Sequence, residues 1–247
     1  MQFCNWLKHN QLVMLGAILG LSLVIAALTL GRFTERFSPS TIDVTGVANT
    51  LVKSDRAVWT LEVSGNGANA AQAYAQLKLN QSRVMQFLAA QGVPKTAISR
   101  GVTNQISYYE RDVHGNQTRQ LSSQELRQTL TVTTPDVDKV EHLAAQASEL
   151  LSDGVEMTVN PPQFVFSKLE SLKVKLLANA TQNAKARAVA VAKSAGNQVG
   201  VLRSASTGVF QITPPDSTDV SDWGISDTTT IDKKITAVVN VSFQLHE

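Results

Sequence analysis

The chain has 247 residues, of which 43% are hydrophobic and 17% are charged, and its formal net charge at pH 7 is +2. The apolar share is sufficient for a hydrophobic core and excludes a disordered chain. A single cysteine, Cys4, excludes a disulfide scaffold. The small net charge does not indicate nucleic-acid binding. One cysteine and four scattered histidines give no metal-ligand pattern, so the sequence predicts no metal and no cofactor.

An uncharged apolar segment near the N-terminus extends from Leu12 to Gly31. As an α-helix of 20 residues it would be about 30 Å long, the thickness of the hydrocarbon core of a bilayer. A cleaved signal peptide has a shorter apolar stretch and a small-residue cleavage site. Here the pair Ala26–Ala27 is followed by Leu28, a poor site. An uncleaved signal anchor is therefore favoured over a cleaved leader and over a buried helix of a soluble domain.

The apolar segment determines the predicted domain organisation. A short tail (1–11) precedes the transmembrane anchor (12–31), a polar linker (32–40) follows, and residues 41–247 are long enough for one sizeable domain or two small ones. A lipid anchor is not predicted, because Cys4 lies before the apolar run instead of just after it. The charges that flank the run are nearly balanced, so the positive-inside rule leaves the orientation open.

The remaining chain alternates between strand and helix patterns. Period-two alternation indicates strands, and apolar residues at helical spacing indicate helices. In chain order the predicted elements are strands over residues 41–48 and 55–64, a helix over 68–91, strands over 98–109 and 121–133, a helix over 136–151, an extended segment over 154–167, a helix over 168–195, and strands over 201–213 and 233–245.

The resulting order is β-β-α-β-β-α-β-α-β-β. It predicts an α+β domain with one mostly antiparallel sheet and helices packed on one side, preceded by the transmembrane helix. Residues 55–167 follow the β-α-β-β-α-β order of ferredoxin-like folds. Asn66 or Asn69 can cap the first helix of this domain, and Gly92 stops it.

The third helix is the longest and is rich in alanine. Its predicted apolar stripe consists of Leu169, Leu172, Leu176, Ala180, Ala184, Ala188, Val191 and Ala195. A helix of this length exceeds what a small sheet can cover. The stripe near Ala184 and Ala188, or the apolar sheet face around Trp59 and Leu130, is therefore predicted to contact a second copy of the chain in a homo-oligomer.

A glycine pattern follows the second strand. Gly65, Gly67 and Ala70 match G-x-G-x-x-A at the start of a helix, the outline of a dinucleotide-binding fingerprint. The acidic residue that would bind the ribose is missing, the strand alternates, and a hairpin follows the helix. The pattern therefore favours a tight turn with an asparagine cap over a nucleotide site.

Aspartates are concentrated in one segment, which contains Asp216, Asp219, Asp222 and Asp227, with Asp232 at its end. Such carboxylates are able to bind Ca²⁺, but the spacing lacks the alternate ligands and the final Glu of an EF-hand loop. The surrounding proline, serine and threonine residues favour a mobile, solvated loop.

No other pattern selects a catalytic site. The sequence contains no nucleophile elbow, zinc-protease, C-x-x-C or Walker motif. His114 and His142 are predicted to be solvent-exposed or capping residues. The third helix carries Lys173, Lys175, Lys185, Arg187 and Lys193. This basic face suits anionic lipid or an acidic partner, but an ordinary solvated face is favoured.

Several segments together resemble the SIMPL domain family over roughly residues 41 to 246. The matching segments are Ile42–Gly46, Ser54–Ala57, Tyr108–Tyr109, Phe164–Ser167, and Ala180–Ala188 with the following Gly196 and Gly200. Ser54 departs from the pattern, because the family often has proline before the aspartate. Bacterial members include periplasmic immunogenic proteins and proteins linked to oxidative-stress defence, and they tend to self-associate.

The resemblance implies an envelope protein with its domain in the periplasm, held in the inner membrane by a single span at Leu12–Gly31. It implies no catalytic, cofactor or metal residues. We therefore expect a non-enzymatic protein that acts by binding or self-assembly in stress defence, with an unknown small-molecule ligand if any. The alternatives are a ligand-binding or enzymatic domain whose pocket is invisible in the sequence, and a cytoplasm-facing signalling adaptor.

Overall fold

A computed structural model describes residues 16, 18–26 and 40–246 of the protein. A helix, α1, covers residues 18–26. The strands are β1 (Thr41–Lys53), β2 (Arg56–Gly67), β3 (Ile98–Arg111), β4 (Gln117–Thr134), β5 (Met157–Val159), β6 (Gln163–Val165), β7 (Gln198–Thr207), β8 (Gln211–Thr213), β9 (Ile225–Ser226) and β10 (Asp232–His246). The further α-helices are α2 (Ala70–Ala90), α3 (Val137–Ala147), α4 (Glu149–Ser152) and α5 (Leu169–Ser194).

The predicted α+β class is confirmed, but the strands form two sheets instead of one. The first has the order β3-β4-β2-β5 with β6 also paired to β2, and the second has the order β1-β10-β8-β9 with β7 paired to β10. The prediction of a single sheet was wrong because local alternation identifies a strand but does not show which distant strand it pairs with.

The chain divides into two compact units. The larger consists of residues 47–180 and 207–238, and the smaller of the described residues up to 46, residues 181–206, and the described residues from 239 onward. The elements β1, α5, β7 and β10 contribute residues to both units.

The larger unit contains the predicted β-α-β-β-α-β arrangement. Its first sheet runs β5-β2-β4-β3, and β2 pairs antiparallel with β4 and β5, as β3 does with β4. This is the strand order of a split βαβ fold, in which β4 lies between β2 and β3. Alternate residues of β2, among them Trp59 and Leu61, are fully buried in a core with α2 and α3.

That burial removes one predicted surface for a second copy. Trp59, Leu61 and Leu130 are completely buried within a single chain, and Leu126 is 8% exposed. The apolar face of β2 and β4 is the inside of the domain, because the helices that follow each strand return to cover it.

Helix α5 shows a second difference from the expected pattern. Its buried residues recur at intervals of four, namely Leu176, Ala180, Ala184, Ala188 and Ala192. Val191 is 56% exposed, because the row continues with a step of four to Ala192. Ala184 and Ala188 are fully buried in the single chain, so the prediction that they are available to a second copy was wrong.

Half of the predicted N-terminal anchor lies outside the described residues. Of the predicted anchor, Leu12–Gly31, the structure describes residues 16 and 18–26. Among the described parts of the chain, no helix is both long and apolar enough to span a membrane.

The glycines of the G-x-G-x-x-A pattern lie in β2 and allow α2 to approach it. A Cβ atom on Gly65 would lie 2.1 Å from the backbone N of Leu77, and one on Gly67 would lie 2.5 Å from the backbone N of Ala73. Helix α2 therefore fills the space that a pyrophosphate would need beside these glycines. The side chain of Asn69 caps α2 by accepting a hydrogen bond from the N–H of Gln72, as one of the two predicted alternatives requires.

The close approach gives a test of the strand–helix contact. Gly65→Ala is expected to lower the free energy of unfolding by about 3 kcal/mol, because the new methyl group overlaps backbone atoms that cannot rotate away. The measurement is urea-induced unfolding followed by circular dichroism.

Gly101→Ala is the matched control, because a Cβ there would lie at an ordinary distance of 3.4 Å from the nearest atom, Thr129 O. It is expected to change stability by less than about 1 kcal/mol. Equal effects of the two substitutions would contradict a special role for Gly65.

Candidate functional site

A cluster of charged and hydroxyl groups lies on the face of the first sheet opposite the apolar core. The strand register places Ser64 of β2 opposite Arg127 of β4, and Asn104 of β3 on the other side of Arg127. Because side chains alternate along a strand, every second residue on each strand shares this face. The Glu125 cluster, as we call it, consists of Glu62, Tyr108, Glu125 and Arg127.

Arg127 holds two carboxylates of the cluster. Its Nε donates to Glu125 Oε1 at 2.7 Å and its second terminal nitrogen to Glu125 Oε2 at 2.9 Å. Its remaining terminal nitrogen donates to Glu62 Oε1 at 3.3 Å. The bidentate geometry is the strongest form of this ion pair, and it fixes the guanidinium plane relative to the sheet.

Tyr108 connects the edge strand to this ion pair. Its hydroxyl donates to Glu125 Oε2 at 2.7 Å. The hydrogen bond to the Glu125 carboxylate raises the pKa of Tyr108, with burial acting in the same direction. The hydrogen bond from Arg127 lowers the pKa of Glu125, although burial opposes it.

The protonation states determine what the cluster can do. Glu125 is ionised at neutral pH and accepts three hydrogen bonds, so it does not act as a general base without losing them. Its side chain is 10% exposed, whereas that of Arg127 is 37% exposed. The arrangement suits a rigid, charged recognition surface with Arg127 and Glu62 at its exposed side.

Two segments that carry the family resemblance meet elsewhere in the larger unit. The Asp55 carboxylate accepts hydrogen bonds from the backbone N–H and the hydroxyl of Ser167, each at 2.8 Å. Burial raises the pKa of Asp55, but the hydrogen bonds from Ser167 outweigh it and leave the pKa lowered. The contact fixes the chain immediately before α5, so the motif residues Asp55 and Ser167 have a structural role.

The aspartate-rich segment contains a buried ion pair that the sequence did not predict. Lys233 is 2% exposed, and its Nζ donates to the backbone oxygen of Asp227 at 2.7 Å and to its carboxylate at 3.2 Å. Burial opposes ionisation of Asp227, but hydrogen bonds from Thr230, Thr229 and Lys233 hold its pKa well below the usual range. The interpretation of this segment as solvated is therefore wrong at Asp227.

In the sequence, Lys233 does not differ from an ordinary charged residue in an alternating strand. Its position in the alternation is the feature that indicates burial, since Lys233 shares the buried face of β10 with Ile235 and Ala237. Together with Phe164 and Phe166 of the family motif, Lys233 and Asp227 line a cavity of about 80 Å³. Among the described residues, no group of three metal-ligating side chains is present.

The remaining candidates lie on the surface. His114 and His142 are exposed, as predicted, and His114 belongs to the β3–β4 turn. Lys175, Lys185, Arg187 and Lys193 of the basic face are exposed. Lys173 is an exception, because it pairs with Glu170 at 2.8 Å and lies 5.6 Å from the centre of the Phe210 ring.

This geometry defines the class of the protein: it is an α+β protein with a split βαβ sheet and a charged cluster on the open face of that sheet. The chain matches the sequence profile of the SIMPL family, described as a protein of unknown function (DUF541), over residues 42–243, and it belongs to that family.

Comparisons with curated proteins and with solved structures do not extend this family assignment. No curated protein matches the chain at a significant level. A similar solved structure, the ligand-free regulatory subunit of aspartate kinase from Thermus thermophilus, is 16% identical, and the alignment covers 81% of this chain and 88% of that chain with a TM-score of 0.19. A likeness at this TM-score supports no inference about this chain.

The coupling between Tyr108 and Glu125 gives a pH-dependent test. In a Tyr74→Phe/Tyr109→Phe background Tyr108 is the only tyrosine, so its ionisation is measured directly by ultraviolet absorbance. Glu125→Gln is expected to lower the pKa of Tyr108 toward its ordinary value of about 10, because the charged acceptor that favours the protonated phenol is removed.

Glu110→Gln is the control, since Glu110 is an exposed acid two residues after Tyr108 on β3. An unchanged Tyr108 titration in Glu125→Gln would show that the hydrogen bond is not formed in solution.

Proposed function

We propose that the protein is a single-pass, membrane-anchored protein of the cell envelope whose SIMPL domain lies in the periplasm and acts by binding or self-assembly. A role in stress defence is part of this proposal through the family resemblance. The observation that carries the assembly is the exposed edge strand β3 beside the Glu125 cluster. The anchor rests on separate observations at the N-terminus.

The exposure of α1 supports the anchor. Large apolar side chains on every side of this helix are more than half exposed, namely Ile18, Leu19, Leu21, Leu23, Val24 and Ile25. A helix that is apolar all round is typical of a membrane or a protein core. The uncharged sequence from Leu12 to Gly31 extends this character to a length that suits a bilayer.

Reporter fusions test the anchor and its orientation. Alkaline phosphatase fused to the C-terminus is expected to be active, because this enzyme folds only outside the cytoplasm, and the fusion should stay in the membrane after carbonate extraction. In the double variant Leu19→Arg/Leu23→Arg, two charges in the apolar segment oppose insertion, and the membrane-bound fraction should fall severalfold. An inactive parent fusion would reverse the proposed topology.

Strand β3 supports self-assembly. It is an edge of the first sheet, and in the part of the chain between residues 40 and 246 no strand pairs with its outer side. Eleven of its fourteen residues are exposed, and Val102 is 79% exposed. A long exposed edge presents backbone donors and acceptors to a further strand. Tyr108 holds this edge to the charged cluster and thus gives a pairing surface of fixed geometry.

Self-assembly through the edge of β3 is tested by the molar mass of the full chain in non-ionic detergent. The molar mass is measured by light scattering with the detergent contribution subtracted. We expect an oligomer at tens of micromolar and an apparent dissociation constant at least tenfold higher for Val102→Lys, because a charge on the edge opposes strand addition. Val174→Lys, which changes a 70% exposed valine of α5, is the control. A monomeric parent would refute assembly through this strand.

A further inference from the structure

Two of the register changes between β3 and β4 cancel each other. Arg100 of β3 pairs with Leu130 of β4. Nine residues further along both strands (from 100 to 109 and from 130 to 121), Tyr109 pairs with Leu121. The segment between these pairs, from Thr103 to Tyr108, is nevertheless displaced by one residue. A continuous ladder without a bulge would therefore connect the same two ends.

The displaced register decides which side chain of β3 reaches the Glu125 cluster. A displacement of one residue turns the side chains of a strand to the opposite face. In the displaced segment Tyr108 lies opposite Ser123, and its hydroxyl donates to Glu125. In the continuous ladder Ser107 would lie opposite Ser123 instead, and Tyr108 would lie on the other face. The bulge thus determines whether the cluster contains a phenol.

The apolar residues of β3 favour the continuous ladder. Val102 lies in the bulge and is 79% exposed. In the continuous ladder it would lie opposite Gln128, on the face that Leu126 and Leu130 contribute to the core. Burial of Val102 would stabilise that ladder, because apolar surface is removed from water. Other contacts must therefore stabilise the displaced register.

Two glutamines hold the bulge in place. Gln81 of α2 is 5% exposed, and its Nε2 donates to Oε1 of Gln128. Nε2 of Gln128 donates to the backbone oxygen of Gly101, the bulge residue next to Val102, at 2.7 Å. Both ends of the Gln128 amide are engaged, and this fixes its orientation. A bulge leaves its extra residue outside the ladder, and here a side chain supplies a donor to the bulged backbone.

We propose that Gln81 and Gln128 are positioning residues that hold β3 in the displaced register. They act on the Glu125 cluster through the strand, because only this register brings the Tyr108 hydroxyl to the cluster. Their role rests on the proposed function of the cluster and of β3. The register within one chain is nevertheless measurable whether or not the chain assembles, so the two proposals fail independently.

Pairs of introduced cysteines measure the register in the full chain in non-ionic detergent. The background is Cys4→Ser, since Cys4 is the only natural cysteine. Ser107→Cys/Gln124→Cys tests a pair that lies opposite in the displaced register, and Ser107→Cys/Ser123→Cys tests a pair that would lie opposite in the continuous ladder. After mild oxidation, the fraction cross-linked within one chain is measured by mass spectrometry. We expect it to be severalfold higher for the first pair.

Gln128→Leu is expected to reverse this preference, because the bulge then loses its side-chain donor. Gln120→Leu, which changes an exposed glutamine of the same strand, is the control and should leave the preference unchanged. If Gln128→Leu does not fold, Gln81→Leu, which releases the same amide from α2, is expected to give the reversal. An unchanged preference in the folded variant would overturn the proposal.

A rescue experiment separates the register from a general loss of stability. In the single-tyrosine background, Gln128→Leu is expected to lower the pKa of Tyr108 toward about 10, because the phenol leaves the cluster. Deletion of Val102 removes the extra residue of β3, so a regular ladder then places Tyr108 opposite Ser123 without the glutamines. Adding this deletion to Gln128→Leu should therefore restore the raised pKa. A pKa that stays near 10 would show that Gln128 does not act through the register, and would refute the proposal.

Discussion

The larger unit is organised around a lysine that cannot be left unpaired in a core. Lys233 lies on the buried face of β10, and its amine is held by Asp227. The cost of burying a single charge makes this pairing a requirement. The pairing fixes the segment before β10, whose backbone accepts hydrogen bonds from β6 and from the turn between β1 and β2. Thr228 O accepts from the N–H of Phe164 in β6, and Ile231 O accepts from the N–H of Ser54 just before β2.

The sequence predicts those parts of the fold that repeat a local pattern. Alternation in β2 and β4 and the asparagine cap of α2 are visible in a short window, and each is present in the structure. The short strands β5, β6, β8 and β9 are formed by pairing with distant partners, and no local pattern of two or three residues encodes that pairing. Which residues of α5 are buried likewise depends on what the helix packs against. Periodicity alone placed Val191 on the apolar stripe, whereas Ala192 is the buried residue.

The candidate sites were hidden for a related reason. Glu62, Tyr108, Glu125 and Arg127 come from three strands, and their spacing in the sequence has no motif. Only the register of β2, β4 and β3 brings them together. The alternating pattern did identify which face of the sheet is polar. Apolar faces that were predicted to be available to a partner proved to be the interior, so the proposed assembly relies on a strand edge and polar side chains instead.

The bulge in β3 limits how far such an edge extends. Pairing with β4 shifts register between Arg100 and Thr103 and again after Tyr108. The first shift places an extra residue in β3, which bends and twists this strand there, whereas the shifts after Tyr108 place their extra residues in β4. The regular part of the edge therefore begins at Thr103, with Val102 in the bulge just before it. Natural sheet edges use bulges of this kind to hinder the open-ended addition of strands that produces fibres.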